Sequence, residues 1–309
     1  MMLFKPKFWD KKIGIISILL FPLSLITILI TYFKKKLIKK ETFTTPIICV
    51  GNIYIGGTGK TPTSILLANE IDKLDKKPVI VRKFYKSHFD EHELIKNNFK
   101  DFVLNKNRFE ALKKLEKSDF DVVILDDGLQ DYKIKKKLSI VCFNQNQLIG
   151  NGLVIPSGPL RENLNALKDV ELVMINGKKN KDFEDKILSI NAKIKIFYSY
   201  YKPINLENFK KKKFFALAGI GNPQNFFDLV KENHLEVKKK FIYPDHYRFA
   251  KEEIENILKE AENENAEIIM TEKDYYKIKD FKLKKINFLK VSLEIHQKEE
   301  FLKFIKKSI

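Results

Sequence analysis

Residues 50–62 read VGNIYIGGTGKTP, a glycine-rich stretch that directly follows the apolar run 47–50. Glycine tolerates the positive φ angles that turn backbone N–H groups inward, and a helix starting here would add the positive end of its dipole. A strand, such a loop and a helix are typical of phosphate-binding loops, in which the lysine reaches the β- and γ-phosphates and the next hydroxyl can bind Mg²⁺. The usual pattern has glycine at the position of Tyr54, so a merely structural turn is the alternative. The residues expected to bind nucleotide are Tyr54, Ile55, Gly56, Gly57, Thr58, Gly59, Lys60 and Thr61.

A second apolar run, 122–125, ends in Asp126 and Asp127 within the sequence DVVILDDGLQ. Carboxylates at the carboxyl end of a neighbouring strand can hold Mg²⁺ directly or through water. Alone this is weak evidence, because many strands end in aspartate at a turn. Beside a phosphate-binding loop it indicates the second half of a nucleotide site. Which of the two carboxylates contacts the metal stays open.

Short apolar runs alternate with amphipathic stretches along the chain. The expected strands are 47–50, 79–81, 122–125, 140–143 and 172–175, and expected helices include 62–74 and 109–117. This alternation is typical of βαβ units and predicts an α/β fold, a mainly parallel sheet of the P-loop kinase type with helices on both faces. A second series starts at residue 214 and ends in an amphipathic helix. We expect an anchor at 1–40, a nucleotide-binding domain at 41–204 and a smaller α/β domain at 205–309.

The composition excludes several classes of protein. The chain has 309 residues, 44% of them hydrophobic, which is too apolar for a mainly disordered chain. Its two cysteines, Cys49 and Cys142, lie in strand-like runs and are expected to be buried free thiols. The sequence has no Cys-x-x-Cys pair and no His-Glu-x-x-His motif, so a zinc site is not expected.

The most apolar part of the sequence lies near its start. Residues 13–33 are 21 positions without a charge, and at about 1.5 Å per helical residue they match a bilayer core of roughly 30 Å. Residues 1–40 also hold nine lysines and one aspartate, which is +8 of the formal +18. The lysines flank the apolar run on both sides, so they favour an anionic membrane surface but give no orientation. With Pro22 near its middle, this anchor either spans the bilayer or lies in its interface. The run is long for a secretory signal.

Arginine is rare, at four residues against 54 lysines, and the four are Arg82, Arg108, Arg161 and Arg248. An arginine in so lysine-rich a chain can mark a site that binds phosphate or carboxylate through two parallel hydrogen bonds. Chance is the alternative for any one of them. Arg82 ends the second expected strand and Arg161 follows PSGPL, which makes these two candidates for phosphate contacts.

Six motifs stand in order over nearly the whole chain. They are VGNIYIGGTGKTP (50–62), DDGLQ (126–130), GNGLVIPSGPLRE (150–162), ALAGIGNPQNFF (216–227), Asp245-His246 and MTEKD (270–274). In content and order they resemble the tetraacyldisaccharide 4′-kinase family, the lipid A 4′-kinases of Gram-negative bacteria. The resemblance implies transfer of the ATP γ-phosphate to the 4′-hydroxyl of an acylated glucosamine disaccharide 1-phosphate. It also implies ATP and Mg²⁺ as cofactors, and an active site at the cytoplasmic face of the inner membrane.

The resemblance assigns roles to individual residues. Lys60 and Thr61 become the phosphate and Mg²⁺ residues, and Asp127 and Glu162 become further metal or water partners. The remaining expected substrate or phosphate contacts are Arg82, Asp126, Gln130 and Arg161.

The family's catalytic carboxylate lies in a Gly-Asp-Glu-Pro motif, for which the best match here is Phe89-Asp90-Glu91-His92. The expected catalytic residues are therefore Asp90, as the base, and His246, as its orienting partner. Glu91 is the local alternative, and a structural loop histidine is the alternative for His246. The segment before Asp90 is shorter than is common in the family, and Arg-Gly-Tyr-Gly-Gly is replaced by residues 82–86, RKFYK. Lys273 belongs either to a surface turn or to the nucleotide site.

Two other functions fit part of the sequence. A regulatory P-loop ATPase or GTPase at the membrane would explain the anchor and the loop, but it leaves PSGPLRE and the Asp-His pair without a role. A nucleic-acid-dependent ATPase draws on the net charge alone, without aromatic residues interleaved on a basic face. We therefore expect a lipid substrate and an anionic membrane as partners, no nucleic acid and no obligate protein partner.

Overall fold

The computed structural model describes residues 5–309, which form two compact units. The larger unit comprises residues 5–84, 99–200 and 294–309. The smaller unit comprises residues 85–98 and 201–293. Neither unit is continuous in sequence, and the chain passes between them four times.

The larger unit is built on a mainly parallel sheet. Its strands are β1 (Ile47–Gly51), β2 (Pro78–Lys83), β3 (Phe102–Asn105), β4 (Val122–Asp126), β5 (Leu138–Asn144), β6 (Leu172–Asn176) and β7 (Lys195–Pro203). Within the described residues, β12 (Val291–Ile295) completes eight strands in the order β12-β7-β6-β5-β1-β4-β2-β3. The pairings from β3 through β7 are all parallel. All five expected strands are present, and the predicted α/β fold is confirmed.

Helices cover this sheet, and most of its strands are therefore buried on both faces. They are α2 (Lys60–Asp72), α4 (Arg108–Leu115), α5 (Lys181–Ile190) and α9 (Lys298–Ser308), preceded by the N-terminal α1 (Ile15–Leu37). The central strands are continuous apolar runs, such as VVIL of β4, which is the pattern of a strand covered on both sides.

The smaller unit has its own parallel sheet, in the order β11-β10-β8-β9. Its strands are β8 (Lys213–Ala218), β9 (Glu236–Ile242), β10 (Glu267–Thr271) and β11 (Ile286–Leu289), and its helices are α3 (Phe89–Asn98), α6 (Pro223–Glu232), α7 (Lys251–Asn263) and α8 (Glu272–Ile278). The apolar face of α7 is buried through Ile254 and Ile257, which explains its strong amphipathic pattern.

The two units differ from the contiguous division at residues 40 and 204: the described part of the anchor is in the larger unit, residues 201–204 are in the smaller one, and two helices change place. Helix α3 belongs to the smaller unit, where Asn98 donates a hydrogen bond to Glu272 of α8 and Glu93 pairs with Lys279. Helix α9 belongs to the larger unit, where Phe301 packs on Phe197 of β7. Contacts with residues far away in sequence place each of these helices in its unit, so the order of elements along the chain does not predict the division.

Helix α1 is the anchor segment, and it docks on the larger unit through polar side chains. Its buried residues are Ser17 and Ser24, seven positions apart on one face. The Ser24 hydroxyl donates to the Val154 carbonyl at 2.7 Å, and the Asn151 amide donates to the Ser17 hydroxyl at 3.1 Å. The other faces expose isoleucine and leucine side chains. The helix is long and apolar enough to cross a bilayer, although a signal sequence would pass the same test.

Candidate active site

The glycine-rich loop follows β1 and leads into α2, as the sequence predicts. Gly56, Gly57 and Gly59 have φ angles of 72°, 61° and 87°, which residues with a side chain rarely adopt. Helix α2 begins at Lys60, so the first-turn N–H groups have no partner in their own helix and can bind phosphate. Asn52 supports the loop from inside, because its amide donates to the Thr58 hydroxyl at 3.0 Å.

Asp126 lies at the carboxyl end of β4, where β4 pairs with β1 on one side and β2 on the other. Its buried carboxylate accepts from the Thr61 hydroxyl at 3.1 Å and the Ser64 hydroxyl at 3.0 Å, and it pairs with Arg82 at the end of β2. Three adjacent strands therefore bring these side chains to one edge of the sheet. All of the oxygens of Asp126 have a donor, so this carboxylate orients Thr61.

Asp127, the next residue, faces two cations. Its Oδ1 lies 2.9 Å from the Arg161 guanidinium and 3.7 Å from Lys60 Nζ. Burial alone would raise the pKa of this carboxyl, but Lys60 and Arg161 outweigh burial and hold the pKa of Asp127 below its usual range. Its φ of 57° is a left-handed conformation that aspartate tolerates. The carboxylate is therefore ionised and lies beside the lysine expected to contact phosphate.

These oxygen groups suit a magnesium ion. Mg²⁺ is bound through carboxylate and hydroxyl oxygens, usually with substrate phosphates and water completing its coordination. The Thr61 hydroxyl and the Asp127 carboxylate provide such oxygens next to the phosphate-binding loop, and Asp126 fixes the hydroxyl. The residues present therefore fit the ion.

Glu162 is held on both sides. The Gln130 amide donates to Glu162 Oε1 at 2.9 Å, and Lys35 Nζ lies 2.7 Å from Oε2. Gln130 also donates to the Asn52 carbonyl at 3.2 Å, which connects Glu162 to the glycine-rich loop. The flanking lysines as a group predict contact with lipid, and the sequence gives no signal that Lys35 meets Glu162.

Tyr54 and Ile55 make hydrogen bonds to other groups of the protein. The Tyr54 side chain is fully buried, and its hydroxyl meets Asp10 at 3.1 Å and Lys5 at 2.8 Å. The Ile55 N–H donates to the Pro159 carbonyl at 3.0 Å. Nucleotide binding by these two stays a prediction, while Gly56 to Thr61 form the loop described above.

The predicted catalytic pair lies in the smaller unit. Nδ1 of His246 is 3.1 Å from both carboxylate oxygens of Asp90. Since a carboxylate only accepts, we assign the proton in this contact to Nδ1. The Asp90 side chain is 2% exposed and that of His246 is 17% exposed, so the ring is the more accessible partner. Asp245 fixes the loop by accepting from the His246 backbone N–H at 3.0 Å.

Two lysines of α8 surround Asp90. Lys273 Nζ lies 3.6 Å from Asp90, 3.2 Å from Glu91 and 3.1 Å from Asp245. Lys277 Nζ lies 3.6 Å from Asp90. Burial favours a higher pKa for Asp90, but Lys273, His246 and Lys277 reverse that effect and hold its pKa well below the usual range. Lys273 lies in α8 and not in a surface turn, and it joins three carboxylates of the smaller unit; its part in the nucleotide site stays a prediction.

His88 adds to this cluster. Its ring stacks on His246 at 4.2 Å with planes 9° apart, and its Nδ1 lies 3.2 Å from Glu91. Ligand atoms of these three residues lie within 4.8 Å of one another. The lone pairs of the two stacked rings lie in nearly parallel planes, one above the other, so they do not converge on one metal ion. His88 and His92 do form a His-x-x-x-His pair in the sequence, so an absence of such pairs cannot support the expectation of no zinc site.

The fold and these clusters define a class of protein. A parallel sheet carries a glycine-rich turn, a lysine and a hydroxyl after its first strand, and carboxylates at the end of the strand beside it. These features are typical of a P-loop phosphotransferase that binds a nucleoside triphosphate.

Comparisons with known proteins give the family. The sequence profile described as tetraacyldisaccharide-1-P 4′-kinase matches residues 16–309. Proteins named tetraacyldisaccharide 4′-kinase are similar at 43% identity in Pelagibacter ubique, covering 96% of this chain and 95% of that protein, and at 36% in Rickettsia canadensis, covering 89% and 88%. A crystal structure of LpxK from Aquifex aeolicus in complex with ATP has a TM-score of 0.73 at 22% identity, covering 95% of this chain and 99% of that one. The chain belongs to the tetraacyldisaccharide-1-P 4′-kinase family.

Proposed function

We propose that this chain transfers the γ-phosphate of ATP to the 4′-hydroxyl of a tetraacylated glucosamine disaccharide 1-phosphate, a precursor of lipid A. Family membership supports the reaction over a regulatory ATPase or a nucleic-acid enzyme. The observation that carries the proposal for the site is the meeting of Lys60 and Thr61 with Asp126 and Asp127 at one edge of the larger sheet.

The larger unit provides the nucleotide site. We assign the β- and γ-phosphates to the N–H groups of residues 56–61 and to Lys60, whose Nζ lies 3.7 Å from Asp127. Arg161 and Arg82 are further candidates for phosphate or substrate contacts. Thr61 and Asp127 would hold Mg²⁺, and Glu162 would act on the ion through water, because its own oxygens are engaged by Gln130 and Lys35. When bound, Mg²⁺ neutralises charge on the phosphate oxygens.

The smaller unit provides the acid–base pair. The 4′-oxygen forms a bond to the γ-phosphorus, the bond between that phosphorus and the β–γ bridging oxygen breaks, and ADP leaves. The hydroxyl proton passes to the Asp90–His246 pair. The low pKa of Asp90 keeps its carboxylate ionised at neutral pH, so that it can stabilise a proton taken up by the adjoining imidazole of His246. His246, fixed by its Nδ1 contact, supplies the more exposed member of the pair.

The anchor supports a location at the membrane surface. Helix α1 exposes apolar side chains on all faces except the one docked through Ser17 and Ser24. The partner segment 151–157 is irregular backbone, which cannot lie in the hydrocarbon core beside lipid. We therefore propose that α1 lies in the interface, with the lysine flanks on anionic lipid at the cytoplasmic face, where ATP is available.

Lipid phosphorylation tests the proposal directly. Purified protein in detergent is incubated with γ-labelled ATP, Mg²⁺ and the acylated disaccharide 1-phosphate, and the lipid is separated by chromatography. We expect label in the lipid, dependence on Mg²⁺, and loss of transfer in Lys60→Ala. Folded wild-type protein that leaves the lipid unlabelled would reject the proposed reaction.

A matched pair of variants tests the base. Asp90→Asn should lower the turnover rate by about 10²- to 10⁴-fold, the range for general-base removal, while ATP binding is retained. Glu91→Gln, one residue away, should keep most of the rate. The reverse order would assign the base to Glu91. Adding His246→Gln to Asp90→Asn should cost little more, because residues that act as a unit are not additive.

A further inference from the structure

Three consecutive lysines end helix α1, and one of them differs from its neighbours. Lys34 and Lys36 are exposed, as expected of residues that meet a lipid surface. Lys35 is half-buried and turns toward the larger unit. Its Nζ lies 2.7 Å from Glu162 and 5.3 Å from the centre of the Tyr132 ring. This lysine therefore has two specific protein partners.

The partner carboxylate needs a cation. The Glu162 side chain is 3% exposed, and a buried carboxylate without a counter-charge is strongly unfavourable. Gln130 donates a hydrogen bond to Glu162, but its amide is uncharged. Lys35 Nζ lies 2.7 Å from the second carboxylate oxygen and supplies a balancing charge there, and Lys136 also interacts electrostatically with Glu162. Glu162 in turn holds Gln130, which also donates to the carbonyl of Asn52 at the start of the glycine-rich loop.

We propose that Lys35 is a positioning residue of the nucleotide site, which the membrane helix contributes by holding Glu162. This inference rests on the proposed function of Glu162 and the loop. The chain of contacts runs from Lys35 through Glu162 and Gln130 to Asn52, whose amide donates to Thr58 inside the loop. Helix α1 is then both the membrane contact and a structural part of the phosphate site.

The position of α1 does not depend on Lys35 alone. Ser17 and Ser24 dock the helix through Asn151, Val154 and Ser157. Replacing the lysine should therefore leave the helix in place and change only the carboxylate. The expected cost is about 10- to 100-fold in activity or Mg·ATP affinity, as for residues that orient the ligands of a metal or phosphate site.

The experiment compares three charge-matched variants in detergent: Lys35→Met, Lys34→Met and Lys36→Met. Mg·ATP affinity is measured by calorimetry without lipid, and transfer is measured with the acylated disaccharide. We expect the loss only in Lys35→Met and recovery to within about twofold in Lys35→Arg. Lys34→Met and Lys36→Met should each weaken binding to anionic vesicles, because each loses one exposed cation near the surface, whereas Lys35→Met should weaken it less.

A second background separates positioning from general stability. In Glu162→Gln there is no carboxylate to balance, so adding Lys35→Met should cost less than about twofold more. Loss of the same size in both backgrounds, or equal behaviour of all three lysine variants, would overturn the inference. An inactive wild-type protein would instead reject the lipid reaction, and the calorimetric comparison would still decide the role of Lys35.

Discussion

Replacing Lys273 by methionine is the most informative perturbation of the smaller unit. Methionine keeps the length and apolar body of the side chain but removes the charge. Lys273 Nζ lies 3.1 Å from Asp245, 3.2 Å from Glu91 and 3.6 Å from Asp90, so one change leaves three carboxylates with less compensation. Lys277 remains beside Asp90. The loss should therefore be large but not complete.

The magnitude follows from these distances. A pair of unit charges 3.1 Å apart contributes about 5 kcal/mol before desolvation, at an effective dielectric constant near 20. The variant recovers the cost of burying the ammonium group, so the net loss is smaller. Removing one partner of a buried pair typically costs about 3–5 kcal/mol. Since Lys277 stays, we expect about 3 kcal/mol at pH 7, or roughly 100-fold faster hydrogen exchange at about 1.4 kcal/mol per factor of ten.

Hydrogen exchange followed by mass spectrometry assigns the effect to a unit. Peptides covering 89–98 and 267–278 should lose protection, because they contain the carboxylates and the helix that carries the lysine. The matched control is Lys251→Met in α7, whose pair with Glu255 is exposed on both sides. That variant should change stability by no more than about 0.5 kcal/mol.

The pH dependence has a definite sign. Burial alone would raise the pKa values of Asp90 and Asp245. Lys273 and the neighbouring cations outweigh burial and hold both pKa values below those of an unfolded chain. Such groups contribute stability above their unfolded pKa, near 3.9, and this stability is lost as pH falls through the folded pKa. The difference in unfolding temperature between wild type and Lys273→Met should therefore be largest at pH 7 and become smaller below about pH 4. A difference that matches the control at pH 7, or that stays constant on acidification, would refute the electrostatic reasoning.

Two further predictions concern the larger unit. Burial raises the pKa of the Cys49 thiol to about 11 and that of Cys142 to about 12, so neither should react with a thiol reagent such as DTNB until urea unfolds the protein, and both should then react. Ser24→Val should destabilise the larger unit by about 1–3 kcal/mol by leaving buried polar groups without partners, measured by the fluorescence of the single tryptophan. Thr27→Val, whose half-buried hydroxyl donates to the Leu23 carbonyl of its own helix, should have a smaller effect. Equal effects would contradict the docking role of the serine.

The sequence predicts those strands and helices that have a clear local pattern of apolar residues. The buried runs that became β1 and β4 were recognisable because strands covered on both faces are continuously apolar. The short β3 was missed, because its residues Phe102–Asn105 are only half-buried and its apolar run is brief. Helix α9 was found as a helix, but its place in the larger unit depends on contacts with β7, far away in sequence.

The site divides in the same way. Lys60 and Thr61 follow from one motif, since a loop and a helix start fix both at once. The pairing of Asp90 with His246 joins positions 156 residues apart and came from a family resemblance. Lys35 was missed because a lysine beside an apolar run looks the same whether it faces lipid or a buried glutamate. Only the rotation of α1, set by Ser17 and Ser24, distinguishes them.

The rare arginines of this chain cluster around one stretch of the larger unit. Three of the four arginines reach the stretch from Asp126 to Asp131: Arg82 pairs with Asp126, Arg161 with Asp127, and Arg108 with both the Asp126 carbonyl and Asp131. A guanidinium can satisfy several acceptors in fixed directions and stays charged when buried, which a lysine does less well. The smaller unit instead places lysines around Asp90. Three of the four arginines of this lysine-rich chain therefore fix oxygen acceptors next to the loop that is proposed to bind phosphate.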